Sequence, residues 1–409
     1  MRILHTADWH LGKRLYQYER TEEHQLFLNW LLQCLQEQRI DVLIVAGDIF
    51  DTGSPANEAL KLYYNFLVQL RSTGCRQAII IGGNHDSIST LQAPRQLLKA
   101  MQIEVVGGVP DNAVEQIIEL KNTYQVVEAV VAAVPFLRDR DVRLSVAGED
   151  ATARESRLRQ GIIDHYQRLM PLLQSYKTQG LPIIATGHLF AAGAQSSDSE
   201  KEIHVGSLGH VPAPLFPAEL DYIALGHIHK PQIVGGIPHI RYSGSPIPLS
   251  FSEAQDAKQV LVIETSPGQP LQITPVPIPS FRPLLRLSGS PQQVLEQAAA
   301  LPLPTHTPLP AWVEVQAITN NLVSTLQDEL LQVLTPRPGF GQLFLRQQRQ
   351  QEAAGINTQI QTPYSLAQMT PQEVFTQRLQ TLGQTEDLEA LHQTFTEALQ
   401  LMQEEEGAL

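Results

Sequence analysis

Five short stretches of the chain set metal-ligand side chains beside glycine. They are Asp8-Trp9-His10-Leu11-Gly12, Gly47-Asp48-Ile49-Phe50-Asp51, Gly83-Asn84-His85-Asp86, Gly187-His188 and Gly226-His227-Ile228-His229. Glycine permits tight turns and close backbone approach, so side chains carried by separate strand ends can converge. The stretches offer carboxylate oxygens, imidazole nitrogens and an amide oxygen, but no thiolate. That donor set suits Mn2+, Fe2+ or Zn2+ in five- or six-coordinate geometry, not a cysteine-based structural zinc site. Taken singly each stretch says little, since Asp-x-His is usually a solvated loop and Gly-Asn-His-Asp can be an Asx-turn.

The elements that must position them are strands. Short β-branched runs recur at Val42–Val45, Ala78–Ile81, Val130–Val134, Ile183–Ala185, Tyr222–Ala224 and Val260–Ile263. Their length and lack of alternation fit strands buried on both faces. Four of the five stretches directly follow such a strand, and the fifth follows the strand-like Arg2–His5 by two residues. Between the strands, Leu26–Leu35 and Leu60–Leu70 carry apolar residues at helical spacing. The alternation predicts an α/β layered sheet with active loops at the strand C-termini. Five ligand-bearing stretches at five strand ends point to a two-metal site for phosphate-ester hydrolysis.

The rest of the chain divides by composition. Prolines at 267, 270, 275, 277, 279 and 283 mark a boundary. It ends a first domain at residues 1–280. Residues 281–346 read as a small α/β unit, with strands near Phe281–Leu287, Trp312–Val315 and Gln342–Leu345. Its helices are expected near Pro291–Ala300 and Leu322–Leu334. A Gln-rich stretch, 347–369, reads as a linker. Residues 370–409 read as a helical hairpin, with Phe375, Leu379 and Leu382 on one stripe and Leu388, Leu391, Phe395 and Leu399 on the next. Too short to bury both apolar faces alone, it is expected either to dock on its own domain or, as the linker before it favours, to bind a partner. From Pro371 onward there are eight acidic residues against Arg378 alone.

The net charge of −13 excludes a protein coated in basic charge for non-specific nucleic-acid binding. A polyanionic substrate must be held by local basic patches or by metal. Two cysteines, Cys34 and Cys75, make no disulfide framework and fit a reducing compartment. No apolar run reaches the length of a membrane span and no leader-like segment opens the chain, so a soluble, cytoplasmic protein is expected.

The five stretches, in this order, resemble the calcineurin-like metallophosphoesterases, whose pattern is D-x-H, G-D-x-x-D, G-N-H-[DE], G-H and G-H-x-H. Thr6–Gly12, Gly47–Pro55, Gly82–Ser87 and Tyr242-Ser243-Gly244-Ser245-Pro246 are similar to the bacterial nuclease branch of that family, whose members work with an SbcC-type ATPase subunit. The resemblance implies a layered β-sandwich metallophosphoesterase domain flanked by helices, a small α/β capping domain and a C-terminal helical hairpin. It implies one cation on Asp8, His10, Asp48 and His229, and a second on Asp48, Asn84, His188 and His227, the physiological ion being two Mn2+ with other divalent cations possible. His85 would face the scissile phosphate and act on the transition state or the leaving 3′ oxygen, with Asp51 orienting it. Expected partners are the SbcC-type ATPase, through the helical hairpin, and DNA at duplex ends and hairpins. A homodimer within a heterotetramer is implied as well. The activity implied is 3′→5′ double-strand exonuclease and hairpin endonuclease in DNA repair and recombination.

Lys13, Arg14 and Arg20 follow the first ligand stretch and are expected to touch DNA phosphates. Arg138, Arg140, Arg143, Arg154, Arg157 and Arg159 form a second cluster, for which pairing with neighbouring acids is an equal expectation. Arg282, Arg286, Arg337, Arg346 and Arg349 sit in the second domain. His5 reads as a hydrogen-bonded core residue, and His204 and His210 as ordinary loop residues near the site. Two other functions fit the same motifs: a phosphatase, or a scaffold that has lost catalysis. Protein phosphatases usually carry Gly-Asp-x-x-Asp-Arg-Gly and Gly-Asn-His-Glu, where this chain has Thr52 and Asp86. A scaffold without catalysis would lack a ligand, and none is lacking.

Overall fold

The β-branched runs fold as expected, because strands flanked on both sides need apolar side chains on both faces. In the computed structural model the first sheet has four parallel strands, β1 (Arg2–Thr6), β4 (Val42–Ala46), β5 (Gln77–Ile81) and β6 (Ile103–Val106). Two antiparallel strands, β15 (Gln259–Glu264) and β16 (Gln272–Pro277), close its edge, giving the order β16-β15-β1-β4-β5-β6. The second sheet is built from β7 (Ile117–Lys121), β8 (Val127–Ala132), β9 (Ile183–His188), β12 (Tyr222–Gly226), β13 (Gln232–Val234) and β14 (Ile237–Tyr242). Its order is β13-β14-β12-β9-β8-β7. Short pairs complete the strands: β2 (Arg14–Leu15) with β3 (Tyr18–Glu19), and β10 (Ala191–Ala192) with β11 (Val211–Pro212). The structure describes residues 1–143, 151–192, 194, 211–213, 216–266, 268–304, 307–319 and 323–348.

The two sheets stack face to face. Ile3, Ile44, Ile79 and Ile263 from the first meet Val131, Ile184, Tyr222 and Ala224 from the second in one buried layer. The outer face of the first sheet (Leu4, Leu43, Val45, Ile80) is covered by α1 (Thr21–Glu37) and α2 (Asn57–Leu70). The small helices α3 (Ile88–Gln92) and α4 (Arg95–Ala100) precede β6. After α5 (Asp139–Val142), the long α6 (Ala151–Thr178) covers the outer face of the second sheet with Leu158, Ile162, Tyr166 and Leu169. The result is a helix–sheet–sheet–helix sandwich with the parallel strand ends at one rim.

The cap follows the expected element order. Its second and third strands run longer than expected, while its first strand begins at Leu284 and its second helix at Leu326. A parallel sheet of β17 (Leu284–Gly289), β18 (Ala311–Ile318) and β19 (Phe340–Gln348) packs α7 (Pro291–Ala300) and α8 (Leu326–Leu334) over Val313, Val315, Val294 and Leu330. α7 begins as its sequence asks, with Pro291 at the first turn and a Ser290–Gln293 capping box. The proline-rich stretch holds the edge strand β16 ahead of residue 280, where Pro275 and Pro277 are tolerated because an edge strand has a side without a partner. β19 pairs through Ile318↔Gln348, so residues 347 and 348 belong to the sheet instead of the linker. Met1–Gln348 forms one compact unit that includes both sandwich and cap. The rest of the linker, the helical hairpin with Phe375, Leu379, Leu382, Leu388, Leu391, Phe395 and Leu399, and His204, His210 and Arg349 lie outside the described residues.

Candidate metal centre

The ligand stretches sit where parallel strands end, and the backbone there is strained. Asp8, His10 and Asp48 have φ of 55°, 47° and 50°, and His227 has φ of 101°. Left-handed backbone costs a residue other than glycine about 1–3 kcal/mol and persists only where its surroundings hold it. They do. Asp8 N donates to Gly47 O (3.0 Å), His10 N to Asp48 O (3.0 Å) and Leu11 N to Ile49 O (2.9 Å). Asp86 accepts from the main-chain N–H of Gly83 (2.9 Å), Phe50 (3.0 Å) and Ile49 (3.1 Å), tying the β5 loop to the β4 loop. A Cβ on Gly83 would lie 2.2 Å from Asp48 Oδ1, so only glycine lets the two loops meet.

The seven expected ligands converge. Asp48 Oδ2 lies 3.4 Å from His10 Nε2 and 3.2 Å from His188 Nε2. Asn84 Oδ1 is 3.0 Å from His188 Nε2 and 3.0 Å from His227 Nδ1. Asp8 Oδ1 accepts from His227 N (2.8 Å), and the rings of His10 and His229 lie 5.1 Å apart. Donor atoms of Asp8, His10 and Asp48 fall within 4.8 Å of one another, as do those of Asp48, His188 and His227, with Asp48 common to both groups. The residues fit a pair of divalent cations: Asp8 Oδ2 and His10 Nε2 are buried polar atoms that no protein group satisfies.

The electrostatics agree. Burial resists charge on every group here. Against it, the Asp48 and Asp8 carboxylates raise His188 to about 9. Burial likewise works against the Asp48 carboxylate, yet His188 and His10 hold it well below the usual range. Burial raises Asp8, and the Asp48 charge adds to it. Burial lowers His10 to about 4. A field strong enough to keep a proton on a buried imidazole is the field a divalent cation answers without a proton.

His85 stands beside this cluster, its ring 4.8 Å from that of His10. Its main-chain N donates to Asp48 Oδ1 (2.9 Å), and its Nδ1 meets the main-chain carbonyl of Asp51 (2.7 Å). The carbonyl can only accept, so Nδ1 carries the proton and Nε2 is left with no protein partner. This corrects one expectation. The Asp51 side chain does not orient His85; its carboxylate takes Lys13 Nζ (3.1 Å) and His10 Nδ1 (3.4 Å). Burial opposes that charge, but His10 and Lys13 bring Asp51 down to about 2.

Arg20 corrects another. It is 1% exposed and paired with Glu23 and the Pro248 carbonyl, so it cannot reach DNA. Lys13 and Arg14 stay at the rim, Arg14 paired with Glu19 at 2.7 Å. In the middle cluster, Arg143, Arg154 and Arg159 pair with Asp139 and Glu155, the acid-pairing expectation. Sequence reasoning missed Glu253, whose Oε1 meets His229 Nδ1 (3.2 Å) while its Oε2 takes Lys258 Nζ (2.7 Å) and Leu249 N (3.1 Å). Metal-bound histidines usually give their other ring nitrogen to such a carboxylate. No motif announces Glu253.

Residues 1–231 match the family model of the calcineurin-like phosphoesterase, and residues 280–382 match one described as the type 5 capsule protein repressor C-terminal domain. The chain is 38% identical over 380 residues to the SbcD component of the nuclease SbcCD from Escherichia coli (strain K12), covering 93% of this chain and 92% of that protein. The chain belongs to the SbcD family of calcineurin-like phosphoesterases. Two more SbcD relatives, from Rhodobacter capsulatus and Bacillus subtilis, are 36% and 35% identical, each over 70% of this chain and over 71% and 72% of their own lengths. Among the described residues no helix is long and apolar enough to cross a membrane.

Proposed function

We propose that this enzyme is a Mn2+-dependent DNA nuclease that hydrolyses phosphodiesters with a pair of cations. It acts 3′→5′ on duplex ends and opens hairpins, in the cytoplasm, with an SbcC-type ATPase in DNA end processing. The observation that carries this reading is the single Asp48 carboxylate common to two groups of ligand atoms. Asp8, His10, Asp48 and His229 would hold one cation, and Asp48, Asn84, His188 and His227 the other. When bound, the pair supplies an activated water and neutralises charge on the phosphate. The chain's own residues do the rest. The Asp51 carbonyl and the Asp48 carboxylate fix His85 at both its ring and its main chain, so that Nε2 can hold a proton at the leaving 3′ oxygen. The Asp51 carboxylate keeps Lys13 at the rim, where a phosphate of the strand can meet it.

Residues 281–346 would cap the site and help seat DNA, and residues 370–409 would bind the ATPase. The working unit would be a homodimer within a heterotetramer. The name of the Escherichia coli relative, one component of the nuclease SbcCD, supports an assembly with a second kind of chain.

The test compares a 3′-labelled duplex, a hairpin and a small phosphomonoester with Mn2+, using wild type and His85→Ala. Cutting of both DNAs by wild type is expected, with His85→Ala slower by about 100- to 10,000-fold while still binding metal in a calorimetric titration. Monoester turnover with intact DNA would move the enzyme to the phosphatase side of the family. Loss of metal together with activity in His85→Ala would remove its separate role.

A further inference from the structure

The hairpin of β2 and β3 leaves the first ligand loop and ends just before α1. Its turn residue, Tyr16, has φ of 54°, a backbone state that glycine takes freely in two-residue hairpins and tyrosine only at a cost. The strain is not needed by any ligand. What holds it is the cap. The Tyr16 hydroxyl donates to Glu314 of β18, a carboxylate 2% exposed that also takes Arg286 Nε (2.6 Å) and Gln316 Nε2 (3.1 Å). The Tyr16 ring stacks on Phe344 of β19 with centroids 4.5 Å apart, and the Arg346 guanidinium lies 5.0 Å from the ring centre. Tyr18 packs against Phe344 (5.6 Å) and Trp312 (5.8 Å).

The other end of the hairpin is fixed to the metal loops. Lys13 N donates to His10 O (2.9 Å), and Lys13 Nζ meets Asp51 (3.1 Å). The hairpin therefore joins the cap sheet to the rim of the centre, and Tyr16 is its single strained joint. We propose that Tyr16 is a positioning residue: its bond to Glu314 latches the cap to the hairpin bearing Lys13 and Arg14, and so governs how a duplex is seated. A small phosphodiester needs only the metal ligands and His85. A duplex must rest on the cap and the rim together, so it alone senses their relative position. This inference rests on the nuclease reading above.

The test uses the full chain with Mn2+, duplex DNA and bis(p-nitrophenyl) phosphate. Tyr16→Phe keeps the ring and its stack but removes the hydroxyl, and Glu314→Gln removes the charged acceptor. Losing this charge-assisted hydrogen bond should lower kcat/KM on duplex about tenfold in Tyr16→Phe, chiefly through KM, and at least as much in Glu314→Gln, which also weakens the bonds from Arg286 and Gln316. The double variant should lose no more than Glu314→Gln alone, since the Tyr16 bond is already broken there. Turnover of the small diester should stay within about twofold, which also reports an intact fold. Equal loss on both substrates, an unchanged duplex rate or additive losses would each overturn the latch. Wild type that turns over the diester but leaves duplex intact would overturn the nuclease reading, and the latch with it.

Discussion

From the first sheet the centre takes Asp8, His10, Asp48 and Asn84; from the second it takes His188, His227 and His229, imidazoles alone. The backbone differs in the same way. Three of the four residues from the first sheet are left-handed, against His227 on the second. The first sheet brings all the negative charge, and it forces its loops together through Gly83 and the Asp86 clamp. The second sheet brings donors without negative charge, whose direction is set from behind: His188 by the Ala46 carbonyl (2.9 Å) and His229 by Glu253 (3.2 Å). Charge is gathered by strain on one sheet, and orientation by hydrogen bonds on the other. The centre exists only where the two sheets meet.

That contrast breaks most visibly at Asp48, the carboxylate shared between the two groups. Asp48→Asn should abolish binding of both cations and lower activity on the order of a thousandfold or more. His229→Ala, on the second sheet, should release one cation and leave the other. Calorimetric titration with Mn2+ reads the stoichiometry directly. If Asp48→Asn still binds one ion, the carboxylate is not shared and the two halves are more alike than the geometry implies.

A smaller effect is expected behind the imidazoles. Glu253→Gln keeps the shape of the side chain but removes the charge that meets His229. It should weaken one of the two metal sites by about 10- to 100-fold and spare the other. Equal weakening of both sites would mean that Glu253 supports the fold, through Lys258 and Leu249, and not the direction of one ligand.

The two kinds of construction were not equally legible. Asp8, His10, Asp48, Asn84, His85, His188, His227 and His229 announce themselves because ligand and glycine are neighbours in the chain, and the β-branched runs before them mark the strands. What orients them lies far off. Glu253 sits 24 residues beyond His229 on a short turn, and Glu314 lies 298 residues beyond Tyr16. Such pairs exist only once the chain has folded. Asp51 misled for another reason: the group that meets His85 is its carbonyl, which every residue possesses. Arg20 misled although its partner was close, since Glu23 stands three residues on, at helical pairing distance. The edge strand β16 stayed hidden in the proline-rich stretch, because composition does not show that an edge strand tolerates proline.

The meeting of the sheets is itself testable, at His5. This residue of β1 is wholly buried between them, and its Nδ1 lies 2.9 Å from the Tyr222 hydroxyl of β12. Burial lowers its pKa from the ordinary 6.5 to about 3. Between those values the unfolded chain binds a proton that the folded chain refuses. The stability His5 permits is therefore complete above pH 6.5 and declines as pH falls towards 3. From pH 7 to pH 5 the decline is about 2 kcal/mol for this one group. Buried His10, His24 and His165 are lowered in the same sense, while Asp8, Asp86 and His188 are raised and act in the opposite one, so the total slope does not by itself identify His5. His5→Gln removes one titrating group and leaves the others. Denaturant unfolding in the presence of a chelator, at pH 7 and pH 5, should show wild type losing about 2 kcal/mol more than the variant. Parallel losses in the two proteins would mean that His5 takes up its proton without parting the sheets.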